Sequence, residues 1–124
     1  MVDTPEDIAV ALNNADIKTV DAIMYSHWNP DHTMGMRIME QLRLEWLDYY
    51  DGIKPGNPIT VYADAGVLED INCIRNKFGP FLDFYEQKMG LINRRVFDKP
   101  LMINGIRITS VPIETNQSVS VFCL

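Results

Sequence analysis

The run VDAIMYS, residues 20 to 26, constrains this chain more than any other stretch. It is apolar without alternation, as expected of a strand buried on both faces. Such a strand needs cover on each side, which commits the chain to layers of helix and sheet. SHWNPDH, residues 26 to 32, follows directly on the strand's carboxyl end and contains both histidines of the protein.

The flanking segments supply the layers. TPED at residues 4 to 7 predicts a helix start, with Thr4 as cap, Pro5 in the first turn and Asp7 at the capping-box position. Ile8, Ala11, Leu12 and Ala15 then recur at helical spacing. Beyond the histidine loop, Ile38, Met39, Leu42, Trp46 and Tyr49 form one stripe of a long helix. Arg37, Glu40, Arg43 and Glu45 are left available to water. The glycine- and proline-rich loop DGIKPGNP leads to the strand ITVYA. Val67, Leu68, Ile71, Ile74 and Phe78 predict a further helix closed by Gly79 and Pro80, and FLDFYEQKMG a shorter one ended by Gly90.

The last third reads as strands: LINRRVF, a hairpin LMINGIRITSV turning at Asn104-Gly105, and the alternating QSVSVFCL. Arg94 and Arg95 read as a solvated strand face. The whole is a single α/β domain, residues 1–124, with a mixed sheet and flanking helices.

Composition narrows the function classes. A formal charge of -6 leaves no basic stripe for nucleic acid. No apolar run is long enough to cross a bilayer. Cys73 and Cys123 form no CxxC pair, and the acidic start MVDTPEDIAV is unlike a secretory leader, so a reducing, cytoplasmic setting is expected. The spacing of His27, Asp31 and His32 suits a metal ion, because imidazole and carboxylate ligands must converge from a rigid frame. A loop between a buried strand and a helix gives that rigidity, and it places the site where open α/β sheets bind ligands. A helix amino end there would favour bound anions, and Gly35 would let the helix start lie close to the sheet. Trp28 either walls a pocket or packs on the sheet rim.

The passage VDAIMYSHWNPDHTMGMRIMEQL resembles the signature region of the metallo-β-lactamase-fold hydrolases, whose motif is T-H-x-H-x-D-H followed by a glycine. VDTPEDI is similar to the strand end and helix that precede that motif. ITVYADAGVLEDI and FDKPLMINGIRITSVPI resemble the later strand-helix segment and hairpin. The nearest branch is the small phosphodiesterase and tRNA-processing type. The resemblance implies part of an αββα sandwich and a metal-dependent hydrolase, with one or two zinc or manganese ions and a phosphodiester or other small-molecule substrate. It makes His27 a ligand of a first metal, Asp31 and His32 ligands of a second, and Asp31 also the catalytic group orienting the nucleophile. Asp3 matches a family aspartate that supports the site.

The departures from the pattern set a second expectation. Asn29 stands where the family has its second histidine, and an amide oxygen suits hard ions better than zinc. Near VPIETNQ, where another histidine belongs, there are only Glu114, Asn116 and Gln117. The remaining family ligands fall beyond residue 124. The chain is therefore expected to be truncated, with a degenerate or incomplete site. That site is either mononuclear and weakly active, or not catalytic at all, leaving a binding module. Open sheet edges would make it a homo-oligomer.

Overall fold

Strand β1 (Ala22–Met24) is covered on both faces, as expected, with Ile23 in one apolar core and Met24 in another. In the computed structural model, which describes residues 1–114 and 117–124 and only the backbone of Glu114, it pairs in parallel with β2 (Ile59–Ala63). β5 (Ile92–Val96) extends the sheet in parallel beyond β2. On the other side, Val2 bridges in parallel to Met24, and Asp3 N–H donates to the Met24 carbonyl at 2.7 Å. The first residues are thus part of the sheet rather than the approach to a helix cap. Helix α1 (Ile8–Asn14) starts later than TPED suggested. Thr4 does not cap it; the side chain is fully buried, its hydroxyl 2.7 Å from the Tyr25 phenol oxygen.

Alternation along the parallel strands sorts two cores. Ile23, Tyr25, Ile59, Val61 and Ala63 belong to the larger one, with Leu12, Met39, Val67, Ile71, Leu82 and Tyr85 from the helical layer. Met24 and Tyr62, of opposite parity, meet Phe97, Leu101, Ile103, Ile108 and Phe122 in the smaller. That second core joins the parallel sheet to an antiparallel one made of β6 (Leu101–Ile103), β7 (Ile106–Glu114) and β8 (Ser118–Cys123). Each fully buried aliphatic side chain contributes about 1.5–3 kcal/mol. The β6–β7 turn falls at Asn104 and Gly105, both with positive φ (50° and 79°), the geometry an Asn-Gly hairpin demands. Parallel and antiparallel strands are both present, as the order of elements implied, but sorted into separate sheets. On the second sheet's far face, Val111, Ile113 and Val121 are each 46% exposed.

Helices differ from the periodic pattern in two places. The long stripe is broken into α3 (Ile38–Arg43) and α4 (Trp46–Tyr50) by extended backbone at Leu44 and Glu45. Arg43 is the physical reason. It is buried, not solvated, and its guanidinium donates to the carbonyls of Val20 and Asn57 and to the Thr19 hydroxyl. Glu45 then caps α4 through the Leu47 amide. Likewise α5 (Ala65–Ile71) ends well before Phe78, giving way to a small hairpin of β3 (Arg75–Asn76) and β4 (Gly79–Pro80). The Asn76 side chain accepts from Phe78 N–H, a local bond that competes with helix.

After α6 (Phe81–Asp83), a π-turn over Phe84–Lys88 leads to Gly90, whose φ is 66°. Arg94 is no solvated arginine. It is largely buried and paired with Asp83 at 2.6 Å and Glu86 at 2.9 Å.

Gly35 follows the single turn α2 (Pro30–Thr33), and it approaches the Thr4–Pro5 backbone rather than the sheet. Its N–H donates to the Thr4 carbonyl at 2.9 Å, and a Cβ there would collide with the Pro5 carbonyl. Gly35→Ala is expected to lower the urea midpoint at constant slope, by about 2 kcal/mol or more. Gly56→Ala, with open space around it, serves as the neutral control. A Gly35→Ala midpoint equal to that control would contradict the close docking.

Two phenols also report on the core. Burial first, and hydrogen bonding second for Tyr85 on the Glu40 carboxylate, push Tyr25 and Tyr85 well above the ordinary tyrosine range. Folded values raised in this way protect stability below the unfolded value of about 10, and the protection is lost as pH rises past it. Part of the tyrosinate absorbance should therefore appear only together with loss of far-UV ellipticity. Tyr85→Phe and Tyr25→Phe should each remove a share of that part. Complete tyrosine ionisation in a chain still folded would refute it.

Candidate metal centre

The site is built where the first residues, the end of β1 and α2 meet. Asp3 has φ 57°, an uncommon conformation for a residue with a side chain but one aspartate tolerates better than most. That turn aims the carboxylate at the loop after β1. Oδ1 accepts from Ser26 N–H at 2.7 Å. Oδ2 accepts from Ser26 Oγ at 2.6 Å and lies 2.9 Å from His32 Nδ1. Backbone bonds complete the clamp, for Thr4 N–H donates to the His32 carbonyl at 2.8 Å. α2 is only four residues long, so the helix-end electrostatics expected from the sequence are not available here.

These bonds determine where the imidazole protons sit. An ionised carboxylate only accepts, so His32 carries a proton on Nδ1, and Nε2 is the nitrogen that a neutral ring offers to a metal. Ser26 uses its hydroxyl proton on Asp3, so its oxygen must accept from His27 Nδ1, 2.8 Å away. His27 is therefore also protonated on Nδ1, so that Nε2 is its metal-facing nitrogen. One carboxylate prepares both rings, directly for His32 and through Ser26 for His27. Metal-binding histidines are oriented by such outer hydrogen bonds.

Of the residues singled out by the sequence, His27 and His32 lie with ring centroids 4.1 Å apart. Ligand atoms of Asp3, His27 and His32 all fall within 4.8 Å of one another. Asp31 is at the edge of this group. Its side chain is 76% exposed, and Oδ2 is 3.3 Å from His32 Nε2. That nitrogen and the carboxylate oxygen are placed to share a proton or a metal cation between them.

Asn29 is the other polar group of the loop. Its side-chain oxygen is buried without a hydrogen-bond partner and does not cap α2. An unmet buried acceptor costs about 1–3 kcal/mol. Trp28 settles on the sheet rim: it packs against the larger core, and its indole N–H donates to Gln117 Oε1 at 2.7 Å. This bond ties the loop to the start of β8, a link no pattern in the sequence announced. The Glu114 side chain and Asn116, considered as oxygen donors, lie outside the described residues.

Among the described residues, the converging group of Asp3, His27 and His32, with the exposed Asp31 carboxylate 3.3 Å from His32 Nε2, is a donor set that fits one divalent ion.

Neither a family model nor a curated sequence relative matches the chain. Solved structures resemble it in fold, two of them as follows. A new diphosphatase from the PhnP family superposes with a TM-score of 0.69 at 19% identity, over 98% of this chain and 42% of that one. The metallo-β-lactamase fold protein YhfI from Bacillus subtilis does so with a TM-score of 0.63 at 16% identity, over 98% of this chain and 44% of that one. The chain thus spans less than half the length of either structure. What they have in common with it is architecture: the chain has the metallo-β-lactamase fold, in partial span.

Proposed function

We propose that the chain binds one divalent metal ion through His27, Asp31 and His32 and hydrolyses a small phosphate ester or anhydride. The observation that carries this reading is the convergence of His27 and His32 beside the Asp3 carboxylate, whose bonds engage Nδ1 of both rings and leave the Nε2 atoms as the ones that can face an ion. The fold likeness to a diphosphatase supports the substrate class. So does the electrostatics of the surroundings. An open groove beside Asp31 is lined by Pro5, Glu6 and Asp7, and a phosphate entering it unaided would meet carboxylates. A cation is what makes such a groove hospitable to an anion.

A bound divalent ion, zinc or manganese, supplies Lewis acidity toward a phosphoryl oxygen and a lowered pKa for water. The chain's own residues do the remaining work. Asp3 holds the protons on both Nδ1 atoms, keeping the rings in one orientation. Asp31, the most exposed of the group, orients the attacking water and accepts its proton. Trp28, held by Gln117, fixes the loop against β8. Asn29 favours a second reading, in which the chain binds metal without turnover, because one imidazole of the family motif is missing.

Elemental analysis after dialysis against zinc or manganese is the direct test. About one retained ion per chain is expected, lost in His27→Ala and in His32→Ala. Asp3→Asn should weaken metal affinity about 10- to 100-fold. Hydrolysis of bis(p-nitrophenyl) phosphate should require the loaded protein and fall about 100-fold or more in Asp31→Asn. Metal retained with no turnover selects the second reading. No retained ion, or retention that survives both histidine substitutions, refutes the metal centre itself.

A further inference from the structure

Among the described residues, two buried side-chain oxygens lack any hydrogen-bond partner, those of Asn29 and Asn72. Asn72 terminates α5. Asn29 lies in the chain between the two imidazoles, and its backbone is fastened to the same loop. Its carbonyl accepts from His32 N–H at 2.9 Å and from the Thr33 hydroxyl at 3.1 Å. Asparagine at a helix start ordinarily turns its side-chain oxygen back onto the first amides. Here it does not, although Asn29 is the residue preceding α2. Pro30 has no N–H to offer, and the His32 N–H is already taken by the Asn29 backbone carbonyl. The amide oxygen is left as a buried acceptor with nothing from the protein to accept.

We infer that Asn29 Oδ1 is itself a donor to the metal ion, and that it biases the site toward manganese over zinc. This rests on the metal centre proposed above. A cation is the partner that satisfies a lone acceptor without needing a proton from elsewhere. Amide oxygen is a hard, neutral ligand: with carboxylate it suits manganese, whereas imidazole and thiolate favour zinc. Asn29 exchanges one imidazole for such an oxygen, leaving a two-nitrogen, two-oxygen set with His27, His32 and Asp31. The asparagine is then a functional ligand with its own preference rather than a decayed histidine.

Calorimetric titration with manganese chloride and zinc chloride separates these possibilities without reference to activity. Wild type, Asn29→Ala, Asn29→Asp, Asn29→His and His27→Ala are compared, with folding of each checked by circular dichroism. Asn29→Ala should weaken manganese binding about tenfold or more and zinc binding less. Asn29→His should shift the zinc-to-manganese affinity ratio at least about tenfold toward zinc, and Asn29→Asp should tighten both ions. The Asp and His variants keep the test decisive if the alanine variant does not fold. If His27→Ala abolishes binding while the Asn29 variants match wild type for both ions, this inference is overturned and the metal centre stands. If His27→Ala binds as wild type does, the metal centre fails and the inference with it.

Discussion

The Asp3 carboxylate is the constraint on which the site and much of its frame depend. It joins the strand-like first residues to two neighbouring pieces that are remote from them in sequence, the loop leaving β1 and α2. Each bond it accepts has a different consequence. The Ser26 amide bond fixes the direction in which the chain leaves the strand. The Ser26 hydroxyl bond commits that hydroxyl's proton, and so settles the tautomer of His27. The His32 bond settles the tautomer of the second ring. Charge-assisted bonds of this kind are about twice as strong as neutral ones. A carboxylate that is 7% exposed and fully engaged is better suited to orienting ligands than to being one. The left-handed backbone at Asp3 is consistent with that role, since strained conformations persist where the surroundings determine them.

The second sheet is fastened to this frame by polar bonds as well as by its apolar core. Ser120 N–H donates to the Ser26 carbonyl at 2.8 Å, one residue from His27. The Asp64 carboxylate, at the end of β2, takes the hydroxyls of both Ser110 and Ser120, and Asp70 takes the Ser118 amide at 3.0 Å. β8 is therefore fastened to the histidine loop through Ser120 and to the end of β2 and α5 through Asp64 and Asp70. Gln117, immediately before it, reaches Trp28 for the same reason. The histidine loop is held from two sides: by Asp3 and Thr4 through side chain and backbone, and by β8.

What could be read in the sequence, and what could not, divides along physical lines. β1, β2, β5 and the Asn104–Gly105 hairpin were legible because apolar runs and a turn demanding positive φ are local signals. The placing of His27 and His32 in one short loop after a buried strand was legible too, and their ring centroids lie 4.1 Å apart. The break between α3 and α4 was hidden because the apolar stripe continues across it. Only the burial of Arg43 among the carbonyls of Val20 and Asn57, far away in sequence, reveals why the helix stops. The end of α5 at Ile71 was masked in the same way by Ile74 and Phe78. The ion pairs of Arg94 with Asp83 and Glu86 depend on a π-turn that periodicity does not encode. Asp3 was visible as a matching family aspartate, but its control of both imidazoles through one serine hydroxyl is a fact of three-dimensional proton accounting.

That accounting bears on how the site can work at all. The chain carries a formal charge of -6, and the groove next to Asp31 adds Glu6 and Asp7 to its rim. Opposing charges of the same sign a few ångströms apart cost several kcal/mol at the dielectric of a protein surface, about 4 kcal/mol at 4 Å. A phosphate-bearing substrate therefore gains nothing from the protein's own charges until a cation changes the local sign. Asp31 adds a further carboxylate to that rim. On the proposed reading the metal is then a condition of substrate binding, not only of bond breaking. A site with fewer imidazoles and more oxygen donors holds its ion with less covalency, so more of the ion's charge remains to face the incoming anion.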